Sequence, residues 1–212
     1  MTSAERPSAW LILLAVLALA GCVFAQRDSR PAQLYVLTPI PPSGSYPERG
    51  ARGPAIWVGP ITLPQYTNRP QIVTGNTGPE LRRAFSAVWA EPLQDNVARV
   101  LAENLSLLLS SDRVAIFPWT SPVPLDYQIT VDVTNFLGEP GGEVSLTALW
   151  KVLGKNGKEV LASKKSTFTQ ASKSKDYDGF VSAMSQNLAS LSREIAAAIS
   201  QLPQQDGPPQ AK

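Results

Sequence analysis

The sequence predicts a single α+β domain, in which an antiparallel β-sheet carries two long helices packed on one face. Apolar residues recur at helical spacing in two segments, 93–108 and 177–199, which is the pattern of helices with one buried side. Between these segments, residues 127–168 alternate apolar and polar side chains, as strands with one buried face do. The two periodicities together place helices and a strand meander in one domain.

Short strands come first in the predicted order. They are expected at 34–37, 55–58, 72–73 and 84–89. Residues 61–63 extend the second strand past Pro60, which has no N–H to donate, so we expect Pro60 at a sheet edge or at a bulge. Residues 39–54 contain five prolines and three glycines, and this composition predicts a long loop.

The first long helix is expected to begin near Pro92, because a first turn has no use for the N–H that proline lacks. Its apolar stripe continues to about Ser110, and a strand at 114–117 follows. The final helix is expected over 176–202, with Asp176 at its start, where the helix dipole favours negative charge.

The segment between the helices predicts a meander of three antiparallel strands. The strands begin at Tyr127, Val144 and Val160. Gly138–Gly142 forms the first turn, and Asn156-Gly157 is a strong hairpin signal, since both residues tolerate positive φ.

The residue inventory argues against an enzyme. The chain of 212 residues contains no histidine and a single cysteine. Without histidine it has no Ser-His-Asp or Cys-His unit, and most zinc sites are excluded, so we expect neither metal nor cofactor. The net charge of +2 gives no support to nucleic-acid binding. An envelope hydrolase that relies on carboxylates is the remaining catalytic alternative.

The single cysteine, Cys22, directly follows an apolar run, Ala9–Ala20, and the small residue Gly21. A run of this length cannot span a bilayer, which takes about 20 residues, but it fits the core of a secretory signal. The motif resembles the lipobox of bacterial lipoproteins. The resemblance implies cleavage between Gly21 and Cys22 and acylation of Cys22. The alternative is a soluble secreted protein.

Four regions follow from this interpretation. They are a lipoprotein signal peptide (1–21), a lipidated tether (22–32), the folded domain (33–202) and a polar, proline-rich tail (203–212) that is expected to be disordered. Fully extended, the tether reaches about 35 Å. Val23 follows the cysteine where the class carries aspartate for retention in the inner membrane. Resemblance to that class therefore implies the periplasmic face of the outer membrane.

Basic charge is concentrated between Lys151 and Lys175, where seven lysines accompany one acid, Glu159. One interpretation is the solvated face of a hairpin. The other is a patch that binds anionic lipid headgroups or an acidic partner. The candidate residues of this patch are Lys151, Lys164, Lys165, Lys173 and Lys175.

Several segments, in order and spacing, resemble the PqiC/YmbA-like family of ABC-transport auxiliary lipoproteins. The most specific is the block Leu-Pro-x-Tyr followed by Arg-Pro-Gln-Ile-Val, within residues 63–73. The others are Tyr35–Leu37, Val58–Thr62, Trp89–Leu93, Leu101–Leu105, Phe117–Trp119 and the strand that ends at Trp150.

The resemblance implies a non-catalytic accessory subunit of an MCE-type lipid transport system, driven in many cases by an ABC transporter. Such a subunit would dock the MCE protein on the outer-membrane side, in the form of a homo-oligomeric ring, while phospholipid is carried between the membranes. The alternative function is an accessory lipoprotein for outer-membrane assembly, a partner of a β-barrel or of lipopolysaccharide export.

The candidate partner-binding residues lie in the block at 63–73. They are Leu63, Pro64, Tyr66 and Arg69. Tyrosine and arginine are enriched at interface hot spots. The alternative is that the prolines shape a buried loop and Arg69 pairs internally. Trp89, Trp119 and Trp150 are likewise either core residues or interface anchors.

Overall fold

The computed structural model describes residues 31–42, 53–76, 78–118, 125–154 and 157–202. From Gln33 onward these residues form one compact unit. Cys22, Gly21, residues 22–30 of the tether, the tail, Trp119 and Asn156 lie outside the described residues. Over the residues that are described, no helix is both long and apolar enough to cross a membrane.

The described chain folds into two helices and eight strands, in close agreement with the predicted segments. In chain order they are β1 (Gln33–Tyr35), β2 (Ile56–Thr62), β3 (Gln71–Thr74), β4 (Arg82–Trp89), α1 (Leu93–Leu108), β5 (Val114–Ile116), β6 (Tyr127–Gly138), β7 (Glu143–Gly154), β8 (Glu159–Ala171) and α2 (Tyr177–Ser200). One turn of 3₁₀ helix, Gln65–Thr67, lies between β2 and β3.

A five-stranded sheet in the order β5-β2-β6-β7-β8 forms the centre of the domain. β6, β7 and β8 are the predicted antiparallel meander. β2, however, runs parallel to both of its neighbours, β5 and β6. The α+β class with two long helices is confirmed, whereas the sheet is mixed and not antiparallel throughout. Hydrophobic alternation reports which face of a strand is buried and carries no information about strand direction.

The remaining strands form a separate small sheet in the order β1-β4-β3. β1 is parallel to β4, with Gln33 opposite Ala87 and Tyr35 opposite Trp89. β3 is antiparallel to β4. The sequence predicted these strands but not their grouping into a second sheet.

Both helices pack on one face of the five-stranded sheet and against each other. α1 covers β2 and β5, and α2 covers β7 and β8. The apolar stripes therefore form a core, as their spacing predicts. Its largest fully buried side chains include Phe136, Phe180, Leu101, Leu105 and Met184.

The predicted position of Pro60 at a bulge is confirmed, because the pairing of β2 with β6 shifts register between Val58 and Ile61. Gly59 has φ +120°, and a Cβ there would lie 2.7 Å from Cβ of Phe117. Only glycine fits this close approach without strain.

The chain after β1 runs through the groove between the two helices and is held there by side chains of both. The Leu37 N–H donates to Asn96 Oδ1 at 2.6 Å, and the Ile40 N–H donates to Asn104 Oδ1 at 2.8 Å. From α2, Ser185 Oγ accepts from the Thr38 N–H at 3.1 Å. This extended segment therefore satisfies its backbone donors with side chains instead of a sheet.

Candidate partner-binding cleft

A cleft of about 510 Å³ lies between the segment that follows β2 and the junction of β4 with α1. Its apolar lining includes Leu63, Pro70, Trp89, Pro92 and Leu93, and Arg69, Gln65 and Asp95 add polar groups. An apolar lining with a few convergent polar groups is typical of a binding site.

Short-range hydrogen bonds fix the wall that contains residues 64–70. The Pro64 carbonyl accepts from the Thr67 N–H at 2.9 Å and from Thr67 Oγ1 at 2.7 Å. The Arg69 N–H donates to the Thr67 carbonyl at 2.8 Å, and the Trp89 N–H donates to the Pro70 carbonyl at 2.7 Å. This wall is therefore joined directly to β4.

An ionic network fixes the opposite wall. Glu91 Oε1 accepts from Asn96 Nδ2 at 2.7 Å and from an Arg99 guanidinium nitrogen at 2.7 Å. Arg99 also donates to Glu103 at 3.1 Å. The hydrogen bond with Glu91 is the main reason that the pKa of Arg99 is raised. The hydrogen bonds of Glu91 to Asn96 and Arg99 therefore fix the segment before α1 against the first two turns of the helix.

The structure separates the four predicted partner-binding residues into two groups. Leu63 and Arg69 line the cleft. Pro64 begins the 3₁₀ turn. Tyr66 is half-buried, and burial raises the pKa of its phenol, which interaction with the Phe136 backbone offsets only in part. Pro64 and Tyr66 therefore support the wall of the cleft, and Leu63 and Arg69 face into it.

Arg69 is exposed, and its guanidinium forms no ion pair with any described residue. The alternative that Arg69 pairs internally is not what the structure shows. Asp95, also exposed, is the acid in the first turn of α1 and lines the same cleft. The cleft thus offers the cation Arg69 and the carboxylate of Asp95 beside an apolar lining, while its second carboxylate, Glu91, is paired with Arg99. This combination suits a polypeptide partner.

The five predicted lysines do not share one surface. Lys164 Nζ donates to Glu194 of α2 at 2.6 Å, so it lies on the helix side of the sheet. Side chains alternate along a strand, so Lys165, which pairs with Leu149, lies on the opposite side. Lys151, two residues after Leu149, lies on that side as well. Lys175 packs over Gly141 in the β6–β7 turn, and Lys173 is exposed beyond the end of β8. Their role as a headgroup or partner patch stays a prediction.

Trp150 and Trp89 lie in different environments. Trp150 is buried, and its Nε1 donates to Glu194 Oε1 at 2.8 Å, which favours a structural role. Trp89 is buried at the base of the cleft. No group of three His, Cys, Asp or Glu in the described ranges is arranged to hold a metal ion.

Replacing Glu194 with glutamine should reduce the loss of stability in acid. Burial raises the pKa of Glu194, but hydrogen bonds from Lys164, Ser166 and Trp150 outweigh it and hold the pKa below its ordinary value of 4.5. A depressed carboxylate pKa gives stability above the unfolded-state pKa, and this stability is lost as pH falls through the folded pKa. Urea unfolding at pH 7 and below pH 4.5 measures this difference.

The matched control for this prediction is Glu139→Gln in the β6–β7 turn. If the free energy of unfolding of Glu194→Gln falls with acid as steeply as that of the wild type and the control, the network does not set the pH dependence.

Sequence reasoning missed the network of Glu91, Asn96 and Arg99. The sequence did contain a signal for one member of it, Asn96, and for a second buried asparagine of α1, Asn104. Asn96 and Asn104 lie eight residues apart beside the apolar stripe of α1, and two turns of helix bring them to the same side. Polar residues beside a buried stripe need partners, and here the partners come from Leu37 and Ile40.

Comparison with known proteins identifies the family. Residues 35–196 match the model of the ABC-type transport auxiliary lipoprotein component. The intermembrane transport lipoprotein PqiC of Escherichia coli K12 is 29% identical over 141 residues, which cover 66% of this chain and 72% of the relative. The protein of the same name from Shigella flexneri matches equally well.

The fold also occurs in a solved structure. A crystal structure of a protein from Xanthomonas campestris superposes with a TM-score of 0.62 at 21% identity and covers 80% of this chain and 98% of its own. The family model spans both sheets and most of α2, so the match includes the cleft and the groove segment. The chain belongs to the family of ABC-type transport auxiliary lipoprotein components, as its motifs predict.

Proposed function

We propose that this protein is a non-catalytic accessory lipoprotein of an MCE/ABC-type intermembrane lipid transport system. It is anchored through acylated Cys22 at the periplasmic face of the outer membrane, and there it docks the transport complex. The family and the name of its Escherichia coli relative, an intermembrane transport lipoprotein, support this proposal. The lipobox-like motif at Cys22 supports the anchor.

The observation that carries the docking role is the unpaired, exposed Arg69 beside the apolar lining of the cleft. An arginine that already has an internal partner loses that partner when it binds another protein. Arg69 has no ion pair among the described residues, so it is free to meet a carboxylate of the MCE protein. Arginine is enriched at interface hot spots, and its planar fork of donors matches a carboxylate.

The test is crosslinking in intact cells, followed by purification of the tagged protein and identification of its partners. We expect an MCE-domain protein and self-crosslinked multimers, the latter because we propose a homo-oligomeric ring. Arg69→Glu should lower recovery of the MCE protein by about tenfold or more, as loss of a hot spot does. The control is Lys158→Glu, an equal charge reversal at an exposed position away from the cleft.

Two results would overturn parts of the proposal separately. Unchanged recovery with Arg69→Glu would move docking away from the cleft and leave the transport function in place. Recovery of a β-barrel protein in place of an MCE protein would favour the alternative function, outer-membrane assembly.

A further inference from the structure

We infer that the start of β4, together with β1, forms a membrane-facing surface that rests on a phospholipid bilayer with anionic headgroups. We call it the β4 surface, and it consists of Leu34, Leu81, Arg83 and Phe85. The inference rests on the lipid anchor of the proposed function and adds to it the side of the domain that meets the lipid.

Large apolar side chains are exposed here to an unusual degree. Phe85 is 84% exposed and Leu34 is 69% exposed, the two highest values among the large apolar residues of the described chain. Leu81 is 40% exposed. Leu34 pairs with Val88 of β4, so β1 and β4 present these residues from adjacent strands. Clustered exposed apolar groups mark interaction sites for proteins or membranes.

The irregular pairing of β4 explains why Phe85 points outward. Gln71 of β3 pairs with Val88 and Val73 pairs with Arg83, so an advance of two residues along β3 matches five residues along β4. Ala84 and Ala87 are buried on either side of Phe85. A bulge changes the direction of a side chain, and here it turns Phe85 away from the core, to which Phe85 contributes no packing.

The charge of the surface suits lipid phosphates. Arg83 is exposed, and it lies on the same side of β4 as Phe85 because buried Ala84 separates the two. Arg82 pairs with buried Thr74 and points to the other side of the strand. Glu80 accepts from Arg82 at 3.2 Å, but both side chains are largely exposed, 69% for Arg82 and 74% for Glu80. This pair occupies Glu80, the acid nearest to the surface, whereas Arg83 has no ion pair with any described residue and can meet a lipid phosphate. Arginine beside apolar and aromatic groups is the composition of interfacial membrane contacts.

The place where the tether enters the domain favours the membrane as the partner of the β4 surface. Cys22 precedes Gln33 by a tether of about 35 Å at most. The chain joins the sheet at Gln33, opposite Ala87 and two residues from Phe85. A short tether gives the part of the domain nearest to it the highest effective concentration at the bilayer.

The other candidate surfaces fit a bilayer less well. The five lysines are divided between two sides of the five-stranded sheet and the loop after β8. Val160, 57% exposed at the start of β8, follows the acid Glu159, which anionic headgroups would repel. Among the described residues, only the β4 surface combines the most exposed apolar groups and an arginine with the point where the tether enters the domain.

The experiment uses the mature chain, Cys22 to Lys212, produced without acylation. Its single thiol at Cys22 is coupled to a maleimide-bearing phospholipid in vesicles of phosphatidylcholine and phosphatidylglycerol. A benzophenone-bearing amino acid replaces Phe85, Leu34 or, as the matched exposed apolar control, Val160. After illumination, lipid adducts are counted by mass spectrometry, and circular dichroism verifies that each variant is folded.

We expect lipid adducts at positions 34 and 85 in several-fold higher yield than at position 160, with a lower yield when phosphatidylglycerol is omitted. Equal yields at the three positions, or adducts at 85 only to a second copy of the chain, would overturn the inference. Because the anchor is chemical, the result does not depend on acylation in the cell or on an MCE partner. Failure here is therefore distinct from failure of the proposed function.

Discussion

Replacing Asn104 with leucine should lower the free energy of unfolding by about 2–4 kcal/mol, because it leaves buried polar groups without partners. Asn104 is completely buried. Its Oδ1 accepts from the Ile40 N–H at 2.8 Å, and its Nδ2 donates to Ser192 Oγ at 3.0 Å. Leucine has a similar size, so the loss comes from hydrogen bonding and not from a cavity.

The effect should extend beyond one bond because Asn104 joins three elements. Ser192 Oγ also donates to the Leu188 carbonyl, so its position on α2 is fixed independently of Asn104. In the leucine variant the Ile40 N–H stays buried in the groove between the helices but loses its acceptor, Asn104 Oδ1. We expect this segment to open locally, and hydrogen exchange at Ile40 should become faster before the domain unfolds.

Urea unfolding measures the global change, with Gln94→Leu as the control. Gln94 is an exposed polar residue on the same helix, so its replacement should alter stability by less than about 0.5 kcal/mol. A change of that small size for Asn104→Leu as well would show that the groove segment does not contribute to stability.

Most of the elements could be predicted from the sequence, since their periodicity is local. The stripes of α1 and α2 and the meander β6–β8 depend on side-chain spacing within each segment, which the sequence displays directly. The parallel pairing of β2 is different. It depends on the path of the chain through the small sheet and α1 before β6, and no local pattern reports that path.

In the cleft, too, a residue could be predicted where a local motif indicates it, and could not where its role depends on distant contacts. A binding role for Arg69 was predicted from its residue type and its motif, and Arg69 lies at the cleft. Tyr66 was grouped with Arg69, yet it is half-buried and interacts with the Phe136 backbone. Glu91 was not recognised, because its role depends on Arg99 and Asn96, and Asn96 in turn holds Leu37, 59 residues away in the sequence.

Replacing Cys22 with serine should release most of the mature protein from the membrane. Each buried CH₂ of an acyl chain contributes about 0.8 kcal/mol, so two or three chains together hold a protein stably. The described domain has no helix that could replace this anchor by spanning the membrane. The β4 surface alone is expected to bind weakly, because its few exposed side chains bury little area compared with an acyl chain.

The signal peptide must be controlled in this experiment. A lipoprotein signal is cleaved only before an acylated cysteine, so Cys22→Ser in its native context would remain attached by the uncleaved segment 1–21. The variant should therefore follow an ordinary secretory signal, and the wild-type chain behind the same signal is the matched control. Fractionation of the envelope should then recover the serine variant in the periplasmic fraction. Membrane recovery of the cleaved variant would show that the body binds the envelope without lipid, and it would move the anchor from Cys22 to the β4 surface or to a protein partner.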